Sequence, residues 1–150
     1  MAETKTKGDI GQSVIMARVM LAGYKVALPV GEDWRFDLIV YKDKRLIRVQ
    51  CKYVESNGEV IVVPCRSSNN WAVKKYTEDE IDIIAVYDKT TDSVYYVPSS
   101  FCGKQGRASV SLRVTEPRNN QIRNVWYAKA FKSIELASRL RASATTGRVL

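Results

Sequence analysis

Three polar side chains on two neighbouring predicted strands have the types and spacing to do chemistry together. Asp37 lies on a predicted strand over 36–41, and Gln50 and Lys52 lie on one face of a second strand over 45–53. A tight turn between the strands would pair them as a hairpin and bring Asp37 near Gln50. The pairing would gather an anionic oxygen, an amide oxygen and an ammonium group.

Such a group is suited to holding a divalent cation and hydrolysing a phosphate ester. The Asp37 carboxylate would ligate Mg²⁺ (or Mn²⁺), which lowers the pKa of a bound water. Lys52 would orient or deprotonate the attacking water and neutralise charge that develops on a phosphate. A carboxylate across from a lysine on adjacent strands is also common as a surface ion pair of about 0–1 kcal/mol without function. The spacing alone leaves both interpretations open.

The chain contains no histidine, which excludes Ser-His-Asp and Cys-His catalysis and a histidine general base. Its three cysteines, Cys51, Cys65 and Cys102, lack the CxxC spacing of a zinc site and do not indicate a disulfide framework. No apolar run reaches the roughly 18 residues of a membrane span, and the first residues are polar. We therefore expect an intracellular, cytoplasmic protein without a membrane partner.

The elements that must position these residues follow from the hydrophobic periodicity. A period of 3.6 predicts a helix over 9–22, in which Asp9 and Gln12 have the spacing of a capping box. The period then changes to two, which predicts a mixed α/β (α+β) domain without linkers or repeats. The predicted strands are 24–30, 36–41, 45–53, 59–63, 81–87, 93–97 and 108–114. Further helices are predicted over 71–76 and 131–141, followed by a frayed tail over 142–150.

The 150-residue chain has a formal net charge of +8. Its positive charge is concentrated in the last third. Residues 1–100 hold 14 basic and 14 acidic side chains, whereas residues 101–150 hold 10 basic and 2 acidic ones. A surplus gathered in one region attracts polyanions, so double-stranded DNA is the expected partner.

The same region is rich in the Arg, Asn and Gln side chains that suit base edges in the major groove. A solvated loop is the alternative for any single one of them. The predicted DNA-binding residues are Lys104, Arg107, Arg113, Arg118, Asn119, Asn120, Gln121, Arg123 and Asn124, together with Arg35, Arg66, Lys74 and Lys75 earlier in the chain.

The ordered set of motifs resembles the PD-(D/E)XK nuclease superfamily, whose core is αβββαβ, over about residues 7–98. The motifs are KGDIG ahead of Gln12, FDL around Asp37, VQCK over 49–52, DIIAV over 82–86 and YYVP over 95–98. Taken over its whole length, the chain resembles the intron-encoded (group I intron) homing endonucleases of this class. The resemblance implies a restriction-endonuclease-like fold with a mixed sheet in one domain over 1–150. That domain would comprise a core over 7–98, a basic DNA-recognition extension over 99–141 and a flexible tail over 142–150.

The resemblance also implies roles for individual residues. Asp37 becomes the metal-binding aspartate, and Lys52 becomes the lysine near the attacking water. Gln50 and the backbone carbonyl of Cys51 fall where further metal ligands are found, and Gln12 falls where related sequences generally have a glutamate that reaches the metal. With glutamine at both positions, Asp37 alone supplies anionic charge. Gln12 is therefore either a replacement of a catalytic glutamate or only the partner in the capping box, and both interpretations stay open.

The function implied is that of a site-specific homing endonuclease that uses a divalent metal to hydrolyse both strands of a DNA duplex. Cutting two strands requires two active sites, so we expect a homodimer or a homotetramer. One alternative is a junction-resolving or repair nuclease of the same fold, which would prefer branched DNA. Another is a non-catalytic, sequence-specific DNA-binding protein, which the neutral residues at 12 and 50 support.

Overall fold

A computed structural model describes residues 2–68, 73–75, 80–102, 108–117, 119 and 125–145. Helix α1 spans Ala2–Leu21 and helix α2 spans Ile134–Thr145. The strands within the described residues are β1 Lys25–Ala27, β2 Leu38–Lys42, β3 Arg45–Val54, β4 Val60–Pro64, β5 Arg66–Ser68, β6 Val73–Lys75, β7 Ile83–Asp88, β8 Ser93–Pro98, β9 Ser109–Arg113 and β10 Trp126–Tyr127. Within the same residues, no helix combines the length and the hydrophobicity needed to cross a membrane.

The main sheet has five strands in the order β1-β2-β3-β7-β8 and is mixed. The pairings β1–β2, β2–β3 and β7–β8 are antiparallel, whereas β3 pairs with β7 in parallel. The turn between β2 and β3 has positive φ at Asp43 (51°) and Lys44 (65°), as the tightest hairpin turns require. A mixed sheet combined with two helices confirms the fold class that the sequence predicts.

Each face of the main sheet is covered by different elements. Ile15 and Val19 of α1 and Ile134 of α2 pack on the first face, which we call the helix face. The second face packs on a smaller sheet of order β10-β9-β4, through residues such as Ile84 of β7 and Ile61 of β4. Because side chains alternate along a strand, neighbouring positions of β3 are assigned to opposite faces.

A buried ion pair ties the start of β7 to β3. Asp82 is 2 % exposed, and its carboxylate accepts hydrogen bonds from the backbone N–H of Arg48 at 2.7 Å and from Arg48 Nη2 at 2.8 Å. The backbone N–H of Asp82 in turn donates to the Arg48 carbonyl at 3.0 Å. This two-way contact sets the parallel register, in which Val49 lies opposite Ile83.

The first helix begins seven residues earlier than the predicted start at Asp9. Asp9 therefore lies inside the helix, where no free N–H groups remain to be capped, and the predicted capping box is wrong. The Asp9 carbonyl instead accepts a hydrogen bond from Ser13 Oγ at 2.8 Å. Lys7 pairs with Glu3 one turn away and with Glu55 after β3, which supports the polar first turns.

Two other predicted elements differ from the structure. The helix predicted over 71–76 is wrong, because Val73–Lys75 forms β6 and pairs with β5; residues 71, 72 and 76 lie outside the described part of the chain. The last helix begins at Ile134, after a 3-10 turn over Ala128–Phe131, and continues to Thr145. The first four residues of the predicted frayed tail are thus helical, and 146–150 lie outside the described residues.

Replacing Asp82 by asparagine should lower the free energy of unfolding by about 3 kcal/mol, because Arg48 would keep its charge without a buried partner. The estimate takes the lower end of the range for buried pairs, since the Arg48 side chain is 30 % exposed. Urea denaturation at pH 7 measures the change. The exposed Asp9→Asn variant serves as the control and should unfold like the parent; equal stability of the Asp82→Asn variant would contradict the assigned role.

Candidate active site

The carboxylate of Asp37 is held against β3 by a backbone donor. Asp37 precedes β2, and its N–H donates to the Val49 carbonyl at 2.9 Å. Its Oδ2 accepts a hydrogen bond from the N–H of Cys51, also at 2.9 Å. The hairpin therefore brings Asp37 to the part of β3 that contains Gln50 and Lys52, as predicted from the alternation of the two strands.

The electrostatics of Asp37 combine burial with nearby positive charge. Burial raises the pKa of this carboxyl above its ordinary value, and the hydrogen bond from Cys51 and the charge of Lys52 oppose the shift without cancelling it. The ammonium of Lys52 is thus close enough to stabilise the ionised form. An aspartate in this setting gains from a bound cation, since the cation compensates the desolvation of its charge.

Gln50 and Lys52 are directed to the face opposite the helix face. They lie across from Ile84 and Val86 of β7, both of which pack against the smaller sheet. Both polar side chains are half-buried. The predicted arrangement of Gln50 and Lys52 on one side of β3, next to the Asp37 carboxylate, agrees with this geometry.

Gln12 follows Gly11, a residue at which α1 lies close to β3. A Cβ atom placed on Gly11 would lie 3.1 Å from the Cβ of Tyr53 and 3.4 Å from the carbonyl oxygen of Lys52. Gln12 is half-buried, and among the described residues its side chain has no hydrogen-bond partner. Since it does not cap the helix either, the capping explanation for this residue is removed.

The donor set provides little negative charge for a metal ion. Among the described residues, no group of three or more His, Cys, Asp or Glu side chains is arranged to hold one. Burial raises the pKa of the Cys51 thiol well above its ordinary value, so the thiol stays protonated and only the carbonyl of this residue is a candidate ligand. Mg²⁺ commonly binds through one or two carboxylates completed by water and substrate phosphates. Asp37, Gln50 and the Cys51 carbonyl fit such a substrate-completed site.

The predicted DNA-binding residues are only partly covered by the structure. Arg35, close in sequence to Asp37, forms an ion pair with Glu80. Arg113 donates to the Thr115 and Glu116 carbonyls, while Arg66 and Asn119 are exposed. Lys74 and Lys75 belong to β6, whose side chains are not described. The remaining predicted residues lie outside the described part of the chain, namely Lys104, Arg107, Arg118, Asn120, Gln121, Arg123 and Asn124.

Comparison with known proteins identifies the family of the chain. A family model described as PD-(D/E)XK endonuclease matches residues 2–134, which is most of the chain. The chain belongs to the PD-(D/E)XK endonuclease family. Nucleases of the PD-(D/E)XK type generally use divalent metals. Among curated proteins, none matches the chain at a significant level.

The fold is similar to that of a solved structure, the bacterial homing endonuclease I-Ssp6803I. The TM-score is 0.68 at 22 % sequence identity, and the match covers 97 % of this chain and 99 % of the other. The two proteins therefore share their fold over nearly the full length of both chains.

Two features of the candidate site are absent from the sequence-based prediction. Gly11 is the last residue of the KGDIG motif, but its contact with β3 was not predicted. The signal that could have indicated the contact is a glycine inside a helical segment, next to a candidate site residue. Arg48 and Asp82 were not predicted as a pair. The alternation of β3 did place Arg48 on the same face as Gln50 and Lys52, next to the site it supports.

The Asp37→Asn variant should be at least as stable as the parent at pH 7. The folded-state pKa of Asp37 is raised, so this group favours folding at low pH and loses that contribution as the pH rises through the folded pKa. Asparagine keeps an oxygen for the Cys51 N–H without the buried charge. Urea midpoints at pH 7 and at acidic pH measure the effect, and a clear loss of stability at pH 7 would show that the charge is needed for folding.

Proposed function

We propose that this chain is a site-specific homing endonuclease that hydrolyses phosphodiester bonds in both strands of double-stranded DNA. The observation that carries the proposal is the hydrogen bond from the Cys51 N–H that holds the Asp37 carboxylate beside Gln50 and Lys52. Membership of the PD-(D/E)XK family and the likeness of fold to a bacterial homing endonuclease support it.

Each residue of the site has a distinct task in this proposal. Asp37, the Gln50 amide oxygen and the Cys51 carbonyl would hold Mg²⁺ or Mn²⁺. When bound, the cation supplies a water of lowered pKa and neutralises charge on the phosphate. Lys52 hydrogen-bonds the scissile phosphate and offsets the charge that develops when the new oxygen–phosphorus bond forms.

The proposal extends to the assembly and to the DNA-binding surface. The two strands of a duplex run in opposite directions, so two symmetry-related sites, and hence a homodimer or homotetramer, would cut both. The domain is taken as a single unit over 1–150 that acts inside the cell. The basic residues of the last third are proposed to grip phosphates and read base edges.

Asp37→Asn and Lys52→Ala should each lower the rate of DNA cleavage by about 10²-fold or more, because each removes a group that stabilises charge at the phosphate. Cleavage of a plasmid library containing candidate target sites with Mg²⁺ measures the rate, and gel-shift binding of the selected duplex reports the fold of the interface. Lys89→Ala, which removes an exposed lysine in the turn after β7, is the control. Undiminished cleavage by either site variant would refute the assigned site.

A second candidate function is sequence-specific DNA binding without cleavage. The observation that favours it is the neutral side chain of Gln12 inside α1, where it has no capping role and leaves Asp37 as the carboxylate of the site. A cation held by one carboxylate is bound weakly until substrate phosphates complete its coordination. The same fold would then recognise its target and leave it intact, or cut it slowly.

Gln12→Glu decides between the two functions. A glutamate would add a second anionic ligand and should raise Mg²⁺-dependent cleavage by about tenfold or more, since stronger cation binding stabilises the transition state. The rate of cleavage at fixed Mg²⁺ is the measurement. Ser13→Glu places the same charge on the neighbouring, exposed position of α1 and should not raise it. Equal rates for Gln12→Glu and the parent would mean that position 12 does not contribute to the site.

A further inference from the structure

A cleft lies on the helix face of the main sheet, on the side opposite to Gln50 and Lys52. Its volume is about 540 Å³, which falls in the size range of small-molecule sites. The end of α1, the end of β2, the start of β8 and the start of α2 surround it. The floor is formed by side chains of the helix-face core, including Tyr96, Val94 and Ile134.

Positive charge predominates in this cleft. Among the described residues, Arg18, Lys42 and Lys132 line it, together with the single carboxylate of Glu135. Glu135 is already bonded by the Tyr24 hydroxyl at 3.0 Å, by Lys42 at 3.4 Å and by Arg139 at 3.2 Å.

The bonded carboxylate does not neutralise the whole cleft. The hydrogen bond from Tyr24, with the charge of Lys42, lowers the pKa of Glu135, so this group is ionised and its oxygens are engaged. Lys132 has no carboxylate within ion-pair distance among the described residues, and Arg18 is 3.5 Å from Asp92 Oδ1. The cleft therefore has unused capacity to bind an anion.

The hydroxyl of Tyr96 provides an independent indication of a ligand. Tyr96 is 4 % exposed, yet it lines the cleft, and no described residue is bonded to its hydroxyl. Among the described residues, Ser99 Oγ is the only fully buried side-chain oxygen or nitrogen without a hydrogen-bond partner. The Tyr96 oxygen also has no partner, so it is not fully buried. Burial raises the pKa of Tyr96 to about 12, opposed by the nearby charge of Arg18, so the phenol stays protonated and able to donate. The hydroxyl is therefore open to the cleft and can donate a hydrogen bond to an acceptor bound there.

We propose that this cleft binds a phosphate group, with the Tyr96 hydroxyl and Arg18 as direct donors and with Lys42 and Lys132 as further cations. A phosphate oxygen accepts several charge-assisted hydrogen bonds at once, which matches a guanidinium, ammonium groups and a phenol around one space. The volume exceeds that of bare phosphate, so the cleft has room for a phosphate group carried by a nucleotide or by a DNA backbone. The inference does not depend on cleavage by the candidate site on the other face.

Calorimetric titration of the full chain with inorganic phosphate, in buffer without other multivalent anions, tests the proposal. Tyr96→Phe removes only the hydroxyl, and Lys132→Met removes only the charge; each should weaken phosphate binding by about tenfold. The matched controls are Tyr127→Phe, a hydroxyl on β10 outside the cleft, and Lys5→Met, an exposed lysine near the start of α1. Both controls should bind phosphate like the parent.

Parallel titrations with adenosine monophosphate and with a short DNA duplex identify the source of the phosphate. If Tyr96→Phe and Lys132→Met weaken binding of adenosine monophosphate and leave duplex binding unchanged, the site binds a mononucleotide. If both variants also weaken duplex binding, the site contacts the DNA backbone. The proposal is overturned if the parent does not bind phosphate, or if Tyr96→Phe and Lys132→Met bind it as tightly as Tyr127→Phe and Lys5→Met. These titrations measure binding and do not require DNA cleavage, so they test the phosphate site even if the chain is catalytically inactive.

Discussion

The pairing of Asp82 with Arg48 is the contact on which the arrangement of the site depends. No short turn sets the register between β3 and β7, because these parallel strands are separated along the chain by β4, β5 and β6. The ion pair and its two backbone hydrogen bonds set that register at the first residue of the pairing. Once the register is set, the pleat sends Gln50 and Lys52 to one face and Cys51 and Tyr53 to the helix face.

The candidate site combines a rigid support with a small amount of negative charge. Its carboxylate accepts a hydrogen bond from a backbone N–H of the central strand. The position of the Asp37 carboxylate is therefore determined by the pairing of the strands. The raised pKa of Asp37 shows that the ionised carboxylate is disfavoured in the folded protein without a compensating charge. In the proposed function a bound cation would compensate this charge, and substrate phosphates would complete the coordination of the cation.

The sequence predicted those parts of the fold that are determined by short-range pattern. The β2–β3 and β7–β8 hairpins follow from alternation and turn residues, and they are sufficient to bring Asp37 beside Gln50 and Lys52. The start of α1 was missed because Thr4, Lys5 and Thr6 have no apolar period, whereas the helix there is supported by contacts between Lys7 and two glutamates. The strand β6 was missed because its conformation is decided by its partner β5.

Pairs that depend on topology were beyond the reach of pattern. Arg48 and Asp82 are 34 residues apart, and only the crossover from β3 to β7 brings them into contact. The cleft around Tyr96 likewise requires four elements to meet, so no local motif marks it. The DNA-reading role of the last third stays a prediction, since most of its basic residues lie outside the described part of the chain.

The missing side chain of Gly11 makes positions 11 and 12 unequal in what they tolerate. A Cβ at position 11 would lie 3.1 Å from the Cβ of Tyr53, so α1 and β3 would have to move apart by a few tenths of an ångström, whereas replacing Gln12 by glutamate changes the charge at nearly constant size. The chemistry of the site can therefore change by one exchange while the backbone around it stays fixed. Under the proposed functions, a chain that cleaves DNA and a chain that only binds it would differ by a single nucleotide in a glutamine codon.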